Sequence, residues 1–169
     1  MANRIIAIGG EPASGKTTLM KSILKNFSLK KFKYGFVRGY YNNNIYFIGI
    51  YNNDVFSGTD KLSMAVQPHF VKFCNSRDNA TIIFEGDRLF NQSLFDKLHC
   101  EIIIIKADDD IKKQRHIDRN DTQTEKFIKA KRTKIQNIKD KNKYVLMCNN
   151  DKDDLIRNKK HIIELIKNT

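Results

Sequence analysis

The chain has 169 residues, 40% of them hydrophobic, which suits one domain (1–169) with a two- or three-layer core. No stretch approaches the roughly 20 apolar residues of a membrane span, so a membrane partner is excluded and a reducing cytoplasm is the expected location. The 31 Lys and Arg outnumber the 19 Asp and Glu for a net charge of +12, and the excess is clustered: residues 1–53 hold eight basic side chains against Glu11, and Lys126 to Lys143 hold eight against Asp140. Such stripes attract polyanions, so nucleic acid is a candidate partner beside the plainer reading of a solvated lysine surface.

Arg4 to Ile8 reads as a buried strand, too short in its apolar part for a signal peptide. It runs into Gly10-Glu11-Pro12-Ala13-Ser14-Gly15-Lys16-Thr17, which matches GxxxxGK[ST] at every fixed position and opens a helix expected over Lys16 to Asn26. Glycines let backbone amides curl around phosphates, the ammonium of Lys16 reaches the β and γ phosphates, and the Thr17 hydroxyl holds Mg²⁺. Thr18 either adds a hydroxyl near the α phosphate or is an ordinary first-turn residue.

Phe32 to Tyr51 holds two β-rich runs hinged at Asn42-Asn43-Asn44, expected as a hairpin or strand pair. Within and beyond it Arg38, Tyr40, Tyr41, Tyr46, Tyr51 and Gln67 are candidates to line an acceptor pocket, the alternative for the tyrosines being hairpin packing. Gly58 to Pro68 starts as a loop and enters a helix expected over Lys61 to Asn75; Asp60 is either a general base or that helix's N-cap.

Thr81 to Phe84 is a second buried strand, ending in Glu85-Gly86-Asp87-Arg88 where a sheet's C-terminal edge holds ligands. Glu85 or Asp87 can ligate Mg²⁺ while the other accepts a proton from the acceptor hydroxyl, and Arg88 can hold a phosphate or orient the acceptor. Helices over Asn91 to Leu98, Asp109 to Asp118 and Thr124 to Lys139 flank a strand at Glu101 to Lys106. Arg115 and Arg119, four apart on one helix face, can converge on a transferring phosphoryl group, and with an unstructured turn at Asn120 to Thr122 they suit a lid around 109–126. The plainer reading is a solvent-facing pair.

Tyr144 to Cys148 is the last strand and Asp153 to Lys167 the last helix, with Leu155, Ile162 and Ile166 on one face and Ile156 and Ile163 beside it. Asp108 to Asp110 and Asp151 to Asp154 read as helix caps rather than metal sites. Cys74, Cys100 and Cys148 are odd in number and far apart, and read as small buried hydrophobes. The alternation of strands and helices predicts an α/β fold with a parallel sheet. An NKxD base-reading motif is absent, Asn149 to Asp153 having its letters in the wrong register, which disfavours a GTPase.

Gly10 to Thr17, Glu85 to Arg88 and the Arg115, Arg119 pair together resemble the P-loop nucleoside, nucleotide and polynucleotide kinases. The resemblance implies a three-layer P-loop NTPase fold with a five-stranded parallel core of order 2-3-1-4-5, an inserted hairpin, a mobile lid over ATP, and Mg²⁺. Gly58 to Met64 and Phe84 to Arg88 are similar to bacteriophage P-loop kinases, among them those that phosphorylate 5-hydroxymethyluracil in DNA. The expected function is therefore ATP- and Mg²⁺-dependent transfer to a hydroxyl of a nucleic-acid component. Lys16, Thr17 and Glu85 hold the nucleotide and metal, Asp87 or Asp60 takes the proton, and Arg115 and Arg119 steady the phosphoryl group. The alternatives are a kinase of free nucleosides, nucleotides or another small metabolite, and an ATP-regulated nucleic-acid-binding protein without transferase activity.

Overall fold

The computed structural model describes residues 2–52 and 57–168. Its first strand, β1 (Arg4–Gly10), is buried from Ile5 onward, and successive side chains go to opposite faces of the sheet. Ile5 and Ala7 join one apolar cluster and Ile6 and Ile8 the other, so β1 is anchored in two layers at once. It is central, pairing in parallel with β5 (Thr81–Glu85) on one side and β6 (Glu101–Lys106) on the other. A run without polar alternation is what a strand covered on both faces requires.

The remaining strands are β2 (Lys30–Tyr34), β3 (Val37–Asn42), β4 (Ile45–Ile48) and β7 (Val145–Cys148), and the order across the sheet is β2-β3-β4-β5-β1-β6-β7. This corrects the expected P-loop NTPase core. Instead of a five-stranded parallel sheet with an inserted pair, the chain forms one mixed seven-stranded sheet, in which β2-β3 and β3-β4 are antiparallel and β4 then pairs in parallel with β5. The region of Phe32 to Tyr51 turns twice. Asn43 takes positive φ at the anticipated hinge, but Gly35 (φ 57) makes a second turn, and the lysine-rich residues before Phe32 extend β2.

Helices α2 (Val66–Asn75), α3 (Gln92–Phe95) and α5 (Glu125–Lys141) cover one face, through Phe70, Phe73, Leu94, Ile135 and Ile138. Helices α1 (Lys16–Leu24) and α6 (Lys152–Lys167) cover the other through Leu19, Met20, Ile23, Ile162 and Ile166. Helix α4 (Asp109–Asp118) follows β6. Among the described residues no helix is long and apolar enough to cross a membrane.

Several local expectations are corrected. Helix α2 begins at Val66, because Thr59–Lys61 forms a separate 3-10 turn, and Pro68 sits within α2's first turn, where a missing N–H breaks no helical bond. Ile156 is 62% exposed and lies outside the packed face of α6. Cys148, on the edge strand, is exposed, while Cys74 is buried. The Asp151 carboxylate caps α6 by accepting from the Asp154 amide, whereas Asp108 stands at the N-cap of α4 without a side-chain bond. The turn after α4 is fastened: the Asp121 amide donates to His116 O at 3.0 Å and the Gln123 amide to Asp121 Oδ1 at 3.0 Å.

Candidate functional site

The loop between β1 and α1 leaves the centre of the sheet at its C-terminal edge. Gly10, Ala13 and Gly15 all take positive φ, and a Cβ on Gly10 would run into the backbone carbonyl of Ile105. The motif's glycines thus meet a steric demand, and the loop closes tightly with the Ser14 amide donating to Glu11 O at 3.2 Å. Helix α1 then opens with neither a side-chain cap nor an acidic residue in its first turn, which leaves the positive end of its dipole facing the loop. The Lys16 ammonium bridges the loop, donating to Gly10 O at 2.8 Å and Glu11 O at 3.0 Å. Burial lowers its pKa, against the pull of Glu85, Asp87 and Asp60, so three carboxylates favour its charged form. Pro12 completes the turn, and the Ser14 hydroxyl is buried without a hydrogen-bond partner among the described residues.

Glu85 ends β5 beside the loop and is only 2% exposed. The Tyr51 hydroxyl donates to its Oε1 at 2.9 Å and the Thr17 hydroxyl to the same oxygen at 3.3 Å. Burial pushes the carboxyl up to about 7, although Lys16 and the Tyr51 bond favour its charged form. Gly58 packs against it so closely that a Cβ there would collide with the carboxylate. Tyr40 supports the arrangement from behind: its hydroxyl donates to Tyr51 O at 3.1 Å and lies 3.2 Å from the Tyr51 amide.

The other acids are held differently. Asp60, the exposed residue of the 3-10 turn, accepts the Arg88 amide at Oδ1, 3.3 Å, and its carbonyl accepts Arg88 Nη2 at 3.3 Å, so it caps no helix and faces the strand end. Asp87 pairs with Lys131 at 2.5 Å and Lys134 at 3.6 Å, both on α5. Burial opposes its charge, yet the two lysines outweigh that and hold its carboxyl below the usual range.

Arg115 and Arg119 line the same cleft but are held differently. Arg115 donates to Ala13 O at 3.0 Å and Asn149 O at 2.8 Å, stapling the loop to the segment after β7, while Arg119 caps α4 and lines the cleft beside Lys16. That cleft, about 640 Å³, is lined by Lys16, Thr17, Thr18, Arg115, Arg119 and Leu155, among others. Gln67 bonds to Ser93 and Asn91, toward α3. Arg38 is exposed on β3 opposite Lys33, and among the described residues no hydrogen bond or ion pair joins its side chain to the loop or the acids.

Sequence reasoning missed four partners. Glu11 is clamped by Lys112 at 2.9 Å and Arg132 at 2.7 Å, which fastens the loop to α4 and α5; despite its burial these cations keep its carboxyl below the ordinary range. Asn149 donates to Ser14 O at 3.0 Å. Tyr51 was one of several pocket candidates rather than the Glu85 donor. No local pattern signals pairings across a hundred residues of chain.

Among the described residues no group of three His, Cys, Asp or Glu side chains converges on a metal position. The Thr17 hydroxyl and Glu85 carboxylate fit a hard cation that takes most of its oxygens from phosphates and water, as Mg²⁺ does.

No protein-family profile matches the chain, and no curated protein does. A crystal structure of an uncharacterized protein from Eubacterium ventriosum is similar, with 15% identity, 98% of this chain and 99% of that chain covered, and a TM-score of 0.48. A likeness this distant bears on neither the reaction nor the ligand.

Proposed function

We propose that the chain is a Mg²⁺- and ATP-dependent kinase that phosphorylates a hydroxyl of a nucleic-acid component. The observation that carries this reading is the closed glycine loop on an uncapped helix, with the Lys16 ammonium across it and Glu85 against Thr17. Backbone amides and one ammonium suit a triphosphate. Thr17 and Glu85 would hold Mg²⁺, which would supply charge neutralisation at the phosphates.

Asp60 is the favoured base. Asp87 is committed to two lysines and Glu85 is enclosed by Tyr51 and Thr17, whereas Asp60 is exposed at the mouth and oriented by the Arg88 amide. In the transfer, the acceptor oxygen bonds to the γ phosphorus as the bond to the β–γ bridging oxygen breaks. ADP leaves, and the hydroxyl proton passes to the Asp60 carboxylate. Lys16 and Arg119 line the cleft where charge gathers, and Arg115 keeps the loop and the β7–α6 segment in register. The acceptor favoured by the resemblance is a hydroxymethylated pyrimidine in DNA.

Radiolabelled ATP offered with hydroxymethyluracil DNA, plain DNA and a nucleoside panel tests this. Label should pass to the modified DNA, and Lys16→Ala should reduce transfer about a thousandfold or more. Transfer only to free nucleosides would overturn the DNA acceptor. Nucleotide-dependent DNA binding with no transfer would overturn the kinase.

A further inference from the structure

Helix α5 carries more than the lysines that reach Asp87. Phe127, Ala130, Lys134, Asn137 and Lys141 recur at spacings of three and four and so share one face. All but Phe127 line a second cleft, about 400 Å³, whose opposite wall is Asn91 and Gln92 at the start of α3. That wall is fixed, because Asn142 donates to Gln92 Oε1 at 2.7 Å and Asn91 to Gln67 Oε1 at 3.0 Å. Phe127 is 41% exposed at the N-terminal end of the stripe, with the Lys131 ammonium 5.1 Å from its ring centre. Phe127, Lys134 and Lys141 stand seven residues apart in turn, about 10 Å per step along the helix. Lys134 also donates to Asp87 O at 3.4 Å, so this row passes directly beside the end of β5.

We infer that this face of α5 is a binding track for single-stranded nucleic acid, with backbone phosphates at Lys134 and Lys141 and a base stacked on Phe127. The chemistry is specific in three respects. Ammonium groups about 10 Å apart can each meet a phosphate of an extended strand, Lys141 directly and Lys134 in addition to its contact with Asp87. An exposed aromatic plane offers stacking to any base, which an acidic protein surface would not use. A cleft in which the amides of Asn91, Gln92 and Asn137 stand beside the apolar Ala130 and Ile138 provides hydrogen bonds to base edges together with a surface on which a base can pack. The inference rests on the proposed kinase only in making the bound strand its acceptor; the binding itself is measured without the reaction.

Fluorescence anisotropy of a labelled oligo(dT) strand, with duplex DNA and phosphatidylserine vesicles as competitors, tests it. With about three lysines on the track, Lys126 included, the logarithmic salt slope should be about −2, equivalent to roughly a 20-fold loss of affinity over a fourfold rise in salt. Lys141→Gln should weaken binding and reduce that slope by about 0.7. Phe127→Ala should weaken it about tenfold with the slope unchanged, and Phe127→Tyr should restore it. Among the described residues Lys141 makes no pair with Asp87, so its effect is not secondary to a disturbed strand end, whereas Phe127 meets the Asp87 partner Lys131 and is read together with Lys141. Affinity unchanged by both substitutions, or stronger competition by duplex or vesicles than by unlabelled strand, would overturn the track. Failure of the kinase reading looks different: oligo(dT) binding stays dependent on Phe127 and Lys141, while no phosphoryl transfer occurs with any acceptor.

Discussion

Gly10 to Thr17 reach the site as eight consecutive residues of one strand-loop-helix unit, whereas Tyr51, Asp60, Glu85 and Asp87 arrive from a segment after β4, a 3-10 turn and the end of β5. The first half is made of backbone geometry. Its requirements, glycine where φ is positive and a cation to bridge carbonyls, are written in adjacent positions. The second half is made of side chains whose properties depend on what the fold brings near them: three carboxylates in one neighbourhood are respectively exposed, pushed up to about 7 and held low. Local sequence therefore specifies the cradle, while tertiary packing specifies the acid chemistry.

Substitution at Gly15 should break the first half most severely. A Cβ there would collide with the Asn149 amide at a backbone φ of 93°, so Gly15→Val should remove nucleotide binding by calorimetry and cost about 2 kcal/mol or more in a denaturant melt.

Glu85 sharpens the contrast through pH. Its carboxyl titrates near 7 in the folded chain against an ordinary value of 4.5, so the native state holds the proton longer than the unfolded state does. Stability without nucleotide should therefore be greatest below about 4.5 as far as this group is concerned, and decline as pH rises through about 7, by on the order of 3 kcal/mol. Glu85→Gln should flatten that decline in melts followed from pH 5 to 8; an equal decline in the variant would assign it to another group.

Tyr51→Phe is a smaller probe of the same half. Loss of the hydroxyl removes a donor to the charged carboxylate, which should raise the Glu85 midpoint further and cost about 1 kcal/mol at pH 8. The midpoint is readable by carboxyl NMR titration. The smallest expected change is at Glu11, where Glu11→Gln weakens contacts to a half-exposed Arg132 and to Lys112: about 0.5 to 1 kcal/mol, diminishing in high salt.

Legibility in the sequence follows the same division. The apolar runs Ile5 to Ile8 and Ile102 to Ile105 announce buried strands because they lack alternation, and the loop motif lies between its expected strand and helix. Glu85 to Arg88 was readable as a strand end with charges, but not that Asp87 would be claimed by α5 and Asp60 left open. Lys131 and Lys134 look like two more solvated lysines until α5 is packed beside β5. The second turn at Gly35 was hidden because β2 is an edge strand, and its lysines read as loop rather than strand. Arg115 stands out in the sequence as a candidate cation, while its partners, carbonyls of Ala13 and Asn149, have no side-chain signature.

The split anchoring of β1 limits how the cradle can change. Neighbouring isoleucines are committed to opposite helical layers, so sliding the strand by one residue would exchange every one of those commitments, and no intermediate setting exists. The glycine loop is thereby indexed to the sheet like a tooth on a ratchet. Variation in what the cleft beside the loop accommodates has to come from the surrounding turns and helices, because the strand that carries the loop has no room for gradual adjustment.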